Sequence, residues 1–297
     1  MGLKIFEHTM CPQSVQFDAT VHTLNDAQKL LGTINWLRPY LGLSTAQLSP
    51  LFNILAGDSD LNSPRQITPE AQQALDKVQQ TISNHHVYRV DPDIDIVVFV
   101  VIPEFHPMGI IAQWSDHWSP EPLQILEWMF LPHKPRKRVA TIFELIAQLI
   151  IKCRHRCLQI TAQDPAKFPI PIQRDYSEWS LANSSALQSA LQSYTGQIDY
   201  HFPRHRLLQS LNTTPLSAKP KLSHTPVDGP PVFTDGSGKA GTAIVTWRNE
   251  DRWQTLQGQG TGSTQLVELK AVSMAFHHFN EPFNLIVDSA CVADIVQ

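Results

Sequence analysis

The stretch Val232-Phe233-Thr234-Asp235-Gly236-Ser237-Gly238 constrains the fold of this chain more than any other. A short apolar run delivers one carboxylate into a turn with two glycines, so a strand ends there. Two later acids answer it: Glu268 in Gln265-Leu266-Val267-Glu268-Leu269-Lys270-Ala271, and Asp288 in Leu285-Ile286-Val287-Asp288-Ser289. Local pattern predicts further strands over Gly241 to Trp247 and Trp253 to Leu256, a helix over Gln265 to Phe279, and a strand over Asn284 to Asp288. Carboxylates are the residue type that a hard divalent cation such as Mg²⁺ needs. Clustered without metal, they would repel and raise one another's pKa. Taken singly, each acid also reads as a cap or a surface charge, and Asp235 as a turn aspartate.

Charge supports the combined reading. The last 75 residues carry 4 Lys/Arg against 8 Asp/Glu, within a chain of net charge −4, so acid is concentrated around the proposed site. Base lies upstream, at Lys134-Pro135-Arg136-Lys137-Arg138 and from Lys152 to Arg156, and either run alone reads as solvated surface. Four scattered cysteines are too few for a disulfide framework. The spacing of Cys153, His155 and Cys157 matches no common zinc knuckle. No apolar run approaches the ~20 residues of a membrane span. Met1 to Ile5 lacks the shape of a signal peptide, and Phe6 stands where myristoylation wants Ser or Thr. An intracellular protein with no membrane partner is expected.

The first ninety residues read as three short helices. Thr23-Leu24-Asn25-Asp26 opens the first in capping-box style, and Leu24, Ala27, Leu31, Ile34 and Leu37 repeat at helical spacing. Pro39 ends it, because proline disfavours helical geometry at the residue before it. A second helix is expected from Thr45 towards Gly57, and a third from Thr68-Pro69-Glu70. On the other face of the first helix, Gln28, Gly32 and Trp36 form one stripe at i, i+4 and i+8. A helical glycine costs ~1 kcal/mol and suggests close approach by another backbone. The stripe therefore reads equally as a helix-packing seam or as a surface for minor-groove base edges.

The segment Leu24-Asn25-Asp26-Ala27-Gln28-Lys29-Leu30-Leu31-Gly32-Thr33-Ile34-Asn35-Trp36-Leu37-Arg38-Pro39 resembles the thumb helix of retroviral reverse transcriptases, in the betaretroviral and endogenous K-type group. The resemblance implies that Gln28, Gly32 and Trp36 lie on the track gripping template–primer duplex, and that Met1 to Ile5 is the last strand of the primer grip. Strand runs at Ile94–Ile102, Gly109–Trp114 and Ile125–Phe130 follow, then an apolar helix from Val139 to Lys152 and a short strand at Leu158-Gln159-Ile160. This segment is similar to the connection domain, an inactive relative of the ribonuclease H fold. Pro-rich residues 214–231 read as a linker.

In the ribonuclease H family the arrangement after residue 232 brings Asp235, Glu268 and Asp288 together as metal ligands and catalytic groups. Ser263, Thr264 and Gln265 match positions that contact hybrid duplex, and the family uses two Mg²⁺ ions. Two metals ~4 Å apart activate a water and stabilise the leaving oxyanion of a phosphodiester. Two departures qualify this. Cys291 stands where the family usually has tyrosine, and the sequence holds neither the fourth acid nor the polymerase aspartates.

The expectation is a multi-domain α/β chain in four parts. Residues 1–90 give the end of the primer grip and a three-helix thumb bundle; 91–213 a ribonuclease H-like connection domain; 214–231 the linker; 232–297 a C-terminally truncated ribonuclease H-fold domain. The expected partner is RNA–DNA hybrid or template–primer duplex, with another Pol subunit, in cytoplasm, nucleus or virion. The isolated chain is expected to have little or no nuclease activity. The alternatives are a duplex-binding module without catalysis, and an inactive endogenous retroviral relic.

Overall fold

The computed structural model describes residues 2–13, 17, 20–103, 106–132, 140–211, 216, 223, 225–250 and 252–296. The basic run at Lys134–Arg138 lies outside the described residues, as does much of the expected linker. The chain divides into two units: Met1–His133 with Ile142–Ser217, and Lys134–Thr141 with Ala218–Gln297.

The first unit opens with β1 (Leu3–Ile5) and β2 (Thr9–Pro12), an antiparallel pair. Helix α1 (Leu24–Leu37) starts at the expected capping box: Asp26 N–H donates to Thr23 Oγ1 at 3.3 Å, and Thr23 N–H to Asp26 Oδ2 at 3.1 Å. Pro39 falls in a 3-10 turn, Arg38–Tyr40. Helix α2 (Thr45–Asn53) ends four residues short of Gly57, and α3 (Pro69–Asn84) begins where Thr68 accepts from the Ala71 amide. Leu31, Ile34 and Leu37 of α1, Leu48 and Leu51 of α2, and Leu75 and Val78 of α3 share one core. After α3, β3 (Val87–Tyr88) completes a sheet ordered β1-β2-β3.

A larger sheet follows. Strands β4 (Ile96–Val101), β5 (Met108–Trp114) and β6 (Leu123–Phe130) run antiparallel, with a bulge between Ile111 and Ala112. Helix α4 (Ile142–Thr161) then crosses to β7 (Lys167–Pro169), parallel to β4. Helices α5 (Arg174–Asn183) and α6 (Ser185–Ala190) precede β8 (Gln197–Asp199), and α7 (Arg206–Leu211) closes the unit. The sheet order is β6-β5-β4-β7-β8. One face packs against α4 and α6; the other buries Phe99, Met108 and Trp128 with Leu208 of α7.

The expected strand at Leu158–Ile160 is the last turn of α4 instead. Buried Ile146, Ile150, Cys153 and Cys157 keep the helical period going, and Ala162, at φ +58°, follows the helix. The glycine at 109 makes this packing possible: a Cβ there would meet Cys153 Sγ at 2.6 Å.

The second unit repeats the connectivity. Strands β9 (Pro231–Ser237), β10 (Thr242–Asn249) and β11 (Arg252–Gln259) are antiparallel. Helix α8 (Thr264–His278) crosses to β12 (Asn284–Val287), parallel to β9, and α9 (Ala290–Val296) follows. The order β11-β10-β9-β12 matches β6-β5-β4-β7 strand for strand. Helix α8 covers one face through Val232, Val245 and Ala275. The other face leaves Phe233, Trp253 and Ile286 exposed at 39%, 61% and 42%. The end of the expected linker belongs to this fold, since Asn284 exchanges hydrogen bonds with the backbone of Val227 and donates to Gly229 O.

Candidate functional site

Strand β9 alternates strictly: Val232, Thr234 and Gly236 are buried under α8, while Phe233 and Asp235 face outward. Gly236 donates its amide to Asp235 Oδ1 at 2.7 Å. Its missing side chain sets the site, because a Cβ would come within 2.4 Å of Glu268 N and 2.7 Å of Glu268 Cα. Gly238 does the same one step on, where a Cβ would lie 2.8 Å from Thr264 Cα. The two glycines let the first turns of α8 lie against the strand end, which seats the Glu268 backbone beside the residue after Asp235. In register, Val287 of β12 faces Thr234, so the next residue, Asp288, stands at the same end of the sheet as Asp235.

The backbone thus gathers all three sequence-derived acids at the C-terminal ends of two parallel strands. Asp235 and Asp288 are exposed and Glu268 half-buried. Among the described residues, no group of three or more His, Cys, Asp or Glu side chains is placed to hold a metal ion. The donor type fits a hard divalent cation.

Beside the acids, Ser263 occupies the cap position of α8 without a side-chain capping bond, and both it and Thr264 are exposed. Gln265 is turned towards α9, donating through Nε2 to Cys291 Sγ at 3.3 Å.

In the first unit, Gln28, Gly32 and Trp36 all lie on the solvent face of α1, with Trp36 46% exposed. Nothing lies within 4 Å of a Cβ built on Gly32. The helix-packing reading of this stripe is therefore wrong. Glycine here is not demanded by a neighbouring backbone; it leaves a flat step between a polar position, Gln28, and an aromatic one, Trp36. Trp36 leans on Tyr40, ring centroids 6.3 Å apart.

The second basic run is absorbed internally. Lys152 Nζ donates to Phe130 O, Arg154 forks onto Asp164 at 2.9 and 2.8 Å, and Arg156 pairs with Glu127. The Asp164 partner and its hydrogen bonds hold Arg154 above the usual arginine range, and Arg154 in turn holds Asp164 below the usual carboxylate range. Cys153 and Cys157 are core residues; burial pushes the Cys157 thiol up to about 12, and the Cys153 thiol also upward. Sequence reasoning passed over Arg38 and Tyr40, which the fold places at the end of the α1 stripe. No local pattern distinguishes a buried arginine from a helix-terminal one.

Comparison with known proteins agrees with this layout. A family model described as reverse transcriptase thumb domain matches residues 12–76, which include α1 and α2. A second, described as ERVK-8-like, RNaseH-like domain, matches residues 104–208, from β5 into α7. The Gag-Pro-Pol polyprotein of Mason-Pfizer monkey virus is 34% identical over 275 residues, covering 92% of this chain and 15% of the polyprotein. That of sheep pulmonary adenomatosis virus is 32% identical over 300 residues, covering 100% of this chain and 17% of its own length. For squirrel monkey retrovirus the figures are 36% over 276 residues, 92% and 14%. The chain therefore spans about a sixth of the curated relatives it matches. With thumb and RNase H-like matches in sequence order and polyprotein similarity from end to end, the chain belongs to the retroviral Pol family.

Proposed function

We propose that this Pol segment holds RNA–DNA hybrid or template–primer duplex and presents it to a ribonuclease H-type carboxylate site. The observation that carries the reading is that one fold occurs twice and, among the described residues, only the second copy sets three acids at the ends of β9 and β12 and in the first turns of α8. In this reading residues 1–90 are the end of the primer grip and a three-helix thumb bundle, 91–213 the connection domain, 214–231 the linker, whose last residues join the fold that follows, and 232–297 the nuclease domain.

Asp235, Glu268 and Asp288 would ligate Mg²⁺ and carry the catalytic role. Bound there, divalent ions supply an activated water and charge stabilisation for the leaving oxygen. Ser263, Thr264 and Gln265 would contact the hybrid beside the acids. Duplex would be read by shape and 2′-hydroxyls rather than by base sequence. With three of the family's four acids in this sequence, the 297-residue chain is expected to cleave labelled hybrid slowly or not at all. Rapid Mg²⁺-dependent cleavage that Asp235→Asn abolishes would overturn this expectation.

A second reading, a duplex clamp without catalysis, is favoured by the exposed stripe of Gln28, Gly32 and Trp36. Hybrid affinity should then fall with salt, and Trp36→Ala should weaken it by about 1–3 kcal/mol even when the three acids are replaced. Unchanged affinity in Trp36→Ala removes this reading.

A further inference from the structure

The end of α1 is joined to the RNase H-like sheet of the same unit through a buried arginine. Arg38 is only 4% exposed. Its guanidinium stacks 3.8 Å from the ring centroid of Phe130 on β6 and lies 5.9 Å from that of Phe52 on α2. Nε donates to Leu43 O at 3.1 Å and Nη2 to Thr45 Oγ1 at 2.7 Å. These partners are a carbonyl, a hydroxyl and two rings, none of them anionic. A buried cation held this way is sustained by ring quadrupoles and by the fork geometry that only arginine offers. Desolvation accordingly lowers its pKa to about 10, still charged at neutral pH.

Two further contacts tie the same short segment to β6, and a third fastens β6 to α4 beneath it. Gly42, at φ +66°, presses on the Trp128 indole so closely that a Cβ would meet Cε2 at 2.7 Å. Lys152 of α4 holds the carbonyl of Phe130, the residue under the guanidinium. Tyr40 lies half-buried near the Glu127–Arg156 pair, with burial foremost and Glu127 next in raising its pKa. Phe130, Trp128 and Glu127 are all on β6, so a single strand receives Arg38, Tyr40 and Gly42 while Leu41 packs into the helical core.

We infer that Arg38 and Gly42 form a clamp that makes the three helices and the RNase H-like domain one rigid body. Trp36 lies two residues from the clamp, so the exposed stripe is aimed by the sheet and not by α1 alone. The clamp is a positioning device. Its consequence for duplex rests on the proposed function; its mechanical content does not.

The test labels the full chain with spin probes at Lys77→Cys on α3 and Gln163→Cys beyond α4, both exposed, with Cys11 and Cys291 changed to serine. Electron–electron resonance should give one narrow distance. Arg38→Ala should lose it, and so should Arg38→Met, which keeps the stem's volume should the alanine variant fold poorly. Gly42→Val should broaden the distance by an independent route, through displacement of Trp128. A distance as narrow in these folded variants as in the parent overturns the clamp. Hybrid affinity is read in parallel. A loosened chain that binds hybrid as tightly as the parent upholds the clamp and counts against the duplex role of the stripe.

Discussion

At the residue scale, two glycines do opposite jobs. Gly236 exists so that Glu268 can come close; Gly32 has nothing near it. Gly236→Ala should therefore destabilise the second unit by about 1–3 kcal/mol through forced separation of strand and helix, read as a lower urea midpoint. Gly32→Ala should instead stabilise α1 by roughly 0.5–1 kcal/mol, since open space receives the methyl and the helix loses a flexible residue. A lower midpoint for Gly32→Ala would mean that the α1 surface is not free. Asp164 supplies the pH dependence. Its folded pKa is depressed, chiefly by the Arg154 hydrogen bond, so its stabilisation is complete above its ordinary value of 3.8 and drains as pH falls below that. Arg154→Met should flatten this acid limb in denaturation curves collected across that range.

At the element scale, caps, periods and the stop at Pro39 were legible, and the end of α4 was not. The box at Thr23 and the cap at Thr68 follow from local side chains bonding local amides, so short sequence windows contain the whole interaction. Thr68→Ala should cost about 1 kcal/mol of stability, with the loss confined to unfolding of the first unit. The fate of Leu158–Ile160 was not legible. Ile160 favours strand by type while Leu158 and Gln159 favour helix. The strand slot beside β4 is taken by Lys167–Pro169 and the Cys153–Cys157 face packs on the sheet, so the helix runs on. Tertiary packing settled a mixed propensity there.

At the scale of the whole molecule, the units differ sharply in core. The first has three large clusters, whereas in the second the fully buried residues are small ones such as Val232, Val245, Ala243 and Ala271, and Phe233, Trp253 and Ile286 stay exposed among the described residues. Calorimetry should therefore resolve two transitions, the lower belonging to the second unit. Mg²⁺ should raise the lower one alone, in proportion to its binding free energy, and Asp235→Asn should erase that rise. A single transition insensitive to Mg²⁺ would count against both the division and the metal site.

The sequence by itself determined the acids, the glycine turn, the helical periods and the kinship with Pol, because each is written in neighbouring residues. Only the tertiary structure decided which side of α1 meets water, where the basic run spends its charge and what buries Arg38. Those answers depend on rings, carboxylates and strands far away in the chain. Periodicity marks a face as different, but the partner that covers it, or leaves it bare, is chosen by the fold.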